Sequence, residues 1–145
     1  MRAHVVALAT AGLLAIGGIA SATTTLSYTA EQADAGRNDY LQNCAECHGG
    51  ELEGHFGPGL AGPNARDQWE SPKYVYGYFS VAMPHGHPGE LTQQQYVDIM
   101  AYLLQEHNRP VGTRPLTVRA INADTTPIGP ADGQIAQPPR TRLDK

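Results

Sequence analysis

Residues 43–50 read Asn-Cys-Ala-Glu-Cys-His-Gly-Gly and hold the only two cysteines of the 145-residue chain. Two cysteines separated by two residues limit this stretch to a few chemistries: thiol–disulfide exchange, a structural disulfide, a zinc site, or covalent attachment of a haem. Each of these requires different surroundings, so the neighbours of Cys44 and Cys47 decide which one the chain is built for.

The first three alternatives fit the surroundings poorly. A thiol-exchange pair normally opens a helix in a βαβ unit, whereas here a predicted helix leads into the motif and glycine-rich loops lead out. A disulfide so short closes almost no loop and stabilises little. Zinc would require four tetrahedral ligands. Cys44, Cys47, His48 and a remote histidine could supply them, although a histidine directly after the second cysteine is unusual.

Covalent haem attachment is what the pattern Cys-x-x-Cys-His signals directly. In this interpretation Cys44 and Cys47 form thioethers with the haem vinyl groups, and His48 is the proximal ligand of the iron. A small, loop-rich chain also needs a cofactor, metal or disulfide to complete its core. The sequence therefore favours one covalently bound haem c.

A second axial ligand is predicted at Met83. This methionine precedes Pro84 in a loop, where packing does not explain it, whereas Met100 lies on the apolar face of a predicted helix and is expected in the core. The neighbouring histidines, His85 and His87, are alternative ligands, and an open iron position, as in a haem enzyme or gas sensor, is a further alternative.

Three residues are predicted to line the haem or support its ligand. The main-chain carbonyl at Pro58 would accept the ring proton of the proximal histidine, which fixes its tautomer. Leu60 would pack on the porphyrin, and Trp69 would lie against the haem or simply in the core. Two other histidines, His55 and His107, are expected to be solvated.

Capping residues and apolar periodicity predict three helices. Two glycine- and proline-rich loops, Gly49–Pro63 and Ala82–Glu90, separate them. The first helix is capped by Thr29, with Gln32 completing a capping box, and runs to about Asn43. The second is short, from Ser71 to Ser80, with Pro72 at its first position. The third is capped by Thr92 and Gln95 and runs to about His107.

The ends of the chain differ from this body. Residues 1–22 resemble a signal peptide, because an apolar run from Val5 to Ile19 ends in small residues and is too short to span a bilayer comfortably. An uncleaved anchor is the alternative. We expect a haem-binding domain at 23–112, no membrane span in the mature chain and a periplasmic location. Residues 113–145 should form a proline-containing basic tail, extended or disordered, with a possible short strand at Leu116–Ile121.

Charge is distributed unevenly. Residues 23–108 contain three basic and eleven acidic side chains, whereas residues 109–145 contain six basic and three acidic ones. An acidic body argues against a nucleic-acid partner and favours protein partners steered by charge.

The motifs together resemble a single-haem c-type cytochrome of class I. Residues 44–48, 57–60 (Gly-Pro-Gly-Leu), Met83-Pro84 and 101–103 (Ala-Tyr-Leu) occur in that family's order, and the resemblance covers about 28–112. It implies an all-α fold, the class I cytochrome c fold, whose N- and C-terminal helices cross over a covalently bound haem.

The same resemblance extends to details of packing and partners. The helices would cross near Gly36 and Tyr40 on one side and Ile99 and Tyr102 on the other. The segments YTAEQADAGRNDYLQNCAECHGGELEG and MPHGHPGELTQQQYVDIMAYLLQEHNRPVG resemble cytochrome subunits or domains of pyrroloquinoline-quinone alcohol dehydrogenases. The implied function is electron transfer without catalysis, from a periplasmic dehydrogenase to a downstream cytochrome or terminal oxidase. A tightly bound haem subunit of an oxidoreductase complex is the alternative.

Overall fold

The fold is described by a computed structural model over residues 26–61, 69 and 71–128. Within this part the chain is helical and contains no strand, as predicted for an all-α protein. The helices are Ala30–Asn43 (α1), Ala45–His48 (α2), Pro72–Ala82 (α3), Gln93–Glu106 (α4) and Val118–Ala123 (α5).

The predicted signal peptide, residues 1–22, lies outside the described residues, as do residues 129–145 of the predicted tail. In the part that is described, no helix has the length and apolar character needed to cross a membrane.

The three predicted helices begin where their capping residues indicate. Thr29 accepts a hydrogen bond from the Gln32 main-chain N–H, and Ser71 caps α3 directly before its first-position proline. Thr92 and Gln95 form the complete capping box predicted for α4. The box predicted at Thr29 is only half formed, because the Gln32 side chain bonds to the chain beyond α4 instead.

Packing of α1 on α4 is the most extensive helix–helix contact in the described structure. A Cβ atom at Gly36 would lie 1.8 Å from the carbonyl oxygen of Asp98, so only glycine permits this approach. One turn further on, the rings of Tyr40 and Tyr102 have centroids 5.4 Å apart. The structure thus confirms the helix contact that the family resemblance implies at these positions.

Residues 113–128 differ from the extended tail that their composition predicts. The strand considered for Leu116–Ile121 is wrong, because this stretch leads into α5. Leu116, Ile121 and Ile128 are at most 3% exposed and join the main core. The Gln32 side chain bonds both main-chain groups of Leu116, at 2.6 and 3.2 Å. A few well-placed apolar side chains therefore order a segment that is otherwise polar.

Candidate functional site

The cysteine motif forms a tight turn between two helices. The Cys44 N–H donates to the Tyr40 carbonyl at 2.8 Å, and the Cys44 carbonyl accepts from the N–H groups of Cys47 and His48 at 3.1 and 2.9 Å. We predicted that helical structure ends at the motif, but the short helix α2 carries Cys47 and His48. The turn brings both cysteines and the histidine to the wall of one cavity.

The glycine-rich loop that follows folds back onto the motif. Main-chain N–H groups of Gly57 and Gly54 each donate at 2.7 Å to the carbonyls of Cys47 and His48, respectively. A Cβ atom on Gly57 would lie 2.9 Å from Cε1 of the His48 ring. The loop can pass this close to the ring because Gly57 has no side chain.

The His48 ring is held by the loop it contacts. Its Nδ1 lies 2.8 Å from the Pro58 carbonyl oxygen, which is the contact expected from the sequence. Because a carbonyl oxygen can only accept, Nδ1 carries a proton, and in the neutral ring Nε2 keeps its lone pair. His48 is therefore in the tautomer that a metal ligand requires.

Met83 ends α3 and lines the same cavity as the cysteine motif. Its N–H donates to the Phe79 carbonyl at 3.0 Å. The two alternative ligands, His85 and His87, also line the cavity and are exposed. Met100 is fully buried in the core, as expected. The structure therefore brings the three candidates for the second axial position to one place.

The cavity has a volume of about 830 Å³, within the range of sites for small molecules and cofactors. Pro58, Leu60 and Trp69, the three residues predicted to line the haem or support its ligand, lie in the wall of this cavity. The remaining apolar wall was not predicted from the sequence, although aromatic residues four positions apart on the helix that precedes Met83 are a signal for it. This wall includes Tyr74, Val75, Tyr78 and Phe79 of α3 and Ile99 and Leu103 of α4.

The burial of His107 differs from the prediction. We predicted a solvated side chain, but His107 is 3% exposed. Its Nε2 donates to the Leu60 carbonyl at 2.9 Å, and its ring lies 4.5 Å from that of Trp69. Polar neighbours in the sequence give no sign of this burial. His107 thus contacts two residues of the cavity wall, Leu60 and Trp69. His55, by contrast, is exposed, as predicted.

The other chemistries considered for the motif do not fit this geometry. Burial, with smaller contributions from Asp39 and Cys47, raises the pKa of the Cys44 thiol to about 11. Exchange-active cysteines have lowered pKa values instead. No disulfide joins Cys44 and Cys47. Among the residues described, no cluster of three or more histidine, cysteine or acidic side chains could hold a metal ion such as zinc.

A haem fits the residues that are present. The cavity is large and mainly apolar. The thiols of Cys44 and Cys47 and the imidazole of His48, whose Nε2 is not hydrogen-bonded to any described residue, reach it from one short segment. Gly57 leaves room for that imidazole. The all-α fold and this site define a c-type cytochrome domain.

Comparison with known proteins leads to the same class. Residues 31–103 match the family model described as "Cytochrome C oxidase, cbb3-type, subunit III". The chain belongs to this family of c-type cytochrome domains, and it is an electron-transfer haem protein whose cofactor is haem c. Searches of curated proteins and of solved structures give no match.

Proposed function

We propose that the chain is a periplasmic single-haem electron carrier. Cys44 and Cys47 attach the haem, and His48 and Met83 are the axial ligands of its iron. The observation that carries this proposal is the convergence of these four residues on one cavity, with His48 already in the ligand tautomer.

Each residue has a physical task in this proposal. When bound, the haem supplies an iron that alternates between ferric and ferrous states. Cys44 and Cys47 fix the group covalently to the turn between α1 and α2. The Pro58 carbonyl strengthens His48 as a ligand, and a thioether from Met83 favours a high reduction potential. The apolar wall excludes water, and no side chain is needed for proton transfer.

The proposed donor is a periplasmic dehydrogenase, and the family resemblance seen in the sequence favours a quinoprotein alcohol dehydrogenase. The proposed acceptor is a downstream cytochrome or terminal oxidase. Two exposed acidic residues, Glu46 and Glu90, line the cavity. Because complementary charge steers redox partners toward each other, we propose that the partner presents a basic patch to this side of the molecule.

A second candidate function is a permanent haem subunit of an oxidoreductase complex. The matched family is described by the name of an oxidase subunit, which favours this alternative. Purification of the native protein distinguishes the two. A large partner that remains bound through a high-salt wash indicates a subunit, and a protein that elutes alone indicates a carrier.

The ligand assignment predicts that substitutions of Met83 and of Met100 have different effects on the absorption spectrum. Met83→Ala should abolish the weak red absorption band of sulfur–iron ligation in the oxidised protein and should let the reduced protein bind carbon monoxide rapidly. Met100→Leu is the matched control, because it preserves volume in the core and should keep the band.

Covalent attachment is checked on the same samples. Mass spectrometry of the wild-type protein and of Met83→Ala should show one haem retained under denaturing conditions. An unchanged spectrum in Met83→Ala would contradict the assignment and would point to His85, His87 or an open position.

A further inference from the structure

The main chain of Met83 is held at both of its polar groups. Its N–H bonds to the Phe79 carbonyl, which closes the last turn of α3. Its carbonyl accepts two hydrogen bonds, one from the Tyr96 hydroxyl at 2.6 Å and one from the Gly89 N–H at 3.1 Å. The Gly89 bond closes the loop of residues 83–89, and the Tyr96 bond ties that loop to α4.

The Tyr96 hydroxyl is not explained by packing. Its ring is 4% exposed and lies edge-on to Phe79 at 5.7 Å, within the main apolar core. A phenylalanine would fill the same space. Because a buried hydroxyl costs free energy unless it is bonded, the reason for a tyrosine at this position is the bond to Met83.

Tyr96 is itself fixed relative to the cysteine motif. It lies in the first turn of α4, next to Gln95, whose side-chain nitrogen donates to the Asp39 carboxylate of α1 at 3.1 Å. Helix α1 runs directly into Cys44. The contacts through Gln95 and Tyr96 therefore set the position of the Met83 main chain relative to the segment that carries Cys44.

We propose that Tyr96 is a positioning residue that keeps the Met83 thioether on the haem iron. This inference rests on the proposed function, in which Met83 is the second axial ligand. With its carbonyl fixed, Met83 can leave the iron only through rotation of its own side chain. Without the Tyr96 hydroxyl, the loop of residues 83–89 opens more readily, and the thioether moves away with it.

The test is Tyr96→Phe in the purified holoprotein. This variant keeps the ring and removes the hydroxyl. Carbon monoxide binds the reduced protein only when the ligand has left, so its binding rate reports how often the thioether leaves the iron. We expect a rate about fivefold higher than wild type, equivalent to roughly 1 kcal/mol for one hydrogen bond. The red band of the oxidised protein should also disappear at a lower temperature.

The matched control is Tyr28→Phe. Tyr28 is also buried in the main core, and its hydroxyl also donates to a main-chain carbonyl, that of Arg109. It does not line the cavity. Tyr28→Phe should lower the free energy of unfolding and leave both the carbon monoxide rate and the red band unchanged.

Two results would overturn the positioning role. One is a carbon monoxide rate in Tyr96→Phe equal to that of wild type, and the other is an equal increase in Tyr28→Phe, which would indicate general loosening. A wild-type protein that lacks the red band would instead refute Met83 ligation, and the positioning role with it.

Gly89→Ala is a second variant in case Tyr96→Phe does not fold. Gly89 has φ +75°, and the nearest atom to an added Cβ is 4.0 Å away. The substitution therefore strains only the backbone that donates to Met83, and it should raise the carbon monoxide rate in the same direction.

Discussion

The geometry of His48 depends on a neighbour without a side chain. Gly57→Ala would place a methyl group 2.9 Å from the His48 ring and 3.3 Å from the Cys47 carbonyl. Either the loop or the ring must move, and the bond to Pro58 weakens. We expect the free energy of unfolding to fall by about 2 kcal/mol. Denaturant unfolding of the holoprotein measures this change.

Gly50→Ala is the control for that prediction, because an added Cβ there meets nothing within 4 Å. It should leave stability unchanged or raise it slightly, since alanine restricts the unfolded chain. Equal losses of unfolding free energy in Gly50→Ala and Gly57→Ala would show that the close approach of Gly57 to the His48 ring does not contribute to stability.

Part of the candidate site has a local signal in the sequence. The cysteine pair and its histidine form a local motif, and Met83 stands in a loop where an apolar side chain lacks another reason. His107 and Tyr96 could not be assigned their contacts, because each bonds a main-chain carbonyl distant in sequence, at Leu60 and Met83. Every residue has a main-chain carbonyl, so a side chain that bonds to a distant one leaves no pattern in the sequence.

At the scale of the helices, the contact between α1 and α4 depends on Gly36. A Cβ there would overlap the Asp98 carbonyl at 1.8 Å and approach the Ile99 nitrogen at 2.8 Å. Because these are backbone atoms, the whole helix must shift. We expect Gly36→Ala to lower the free energy of unfolding by about 3 kcal/mol, measured by denaturant unfolding of the holoprotein.

A glycine-to-alanine substitution in α3 should have the opposite effect on the free energy of unfolding. An added Cβ at Gly77 meets no atom within 4 Å, and alanine is favoured over glycine inside a helix by about 0.5–1 kcal/mol. Gly77→Ala should therefore stabilise the protein. A stable Gly36→Ala protein would mean that α1 and α4 do not pack as closely as the structure shows.

The long helices were predictable because their capping residues and apolar spacing act locally. The four-residue α2 and the six-residue α5 were not, since isolated helices this short are not stable alone. The motif turn holds α2 in place, and burial of Ile121 holds α5. The loop bonds from Gly54 and Gly57 to α2 and the burial of Ile121 are tertiary contacts, although Thr117, whose side chain caps α5, is a local signal that was missed.

For the whole molecule, α4 links the cavity to the rest of the protein. Ile99 and Leu103 of this helix line the cavity and pack in a small core with Tyr40. Residues on its other positions, such as Met100 and Leu104, belong to the larger core that residues 113–128 complete. A segment outside the predicted cytochrome domain therefore completes the core that α4 shares, and its helix α5 packs on α3, which forms another wall of the cavity.

This arrangement predicts that Ile121→Ala destabilises the protein without changing the iron ligands. Ile121 is fully buried in the larger core and does not line the cavity. Its truncation should lower the free energy of unfolding by about 2–5 kcal/mol, while the red band of the oxidised protein remains. Val111→Ala is the control, because Val111 precedes the segment and is 52% exposed. If Ile121→Ala unfolds at the same denaturant concentration as Val111→Ala, residues 113–128 do not pack on the body, and the cytochrome domain ends at residue 112, as predicted from the sequence.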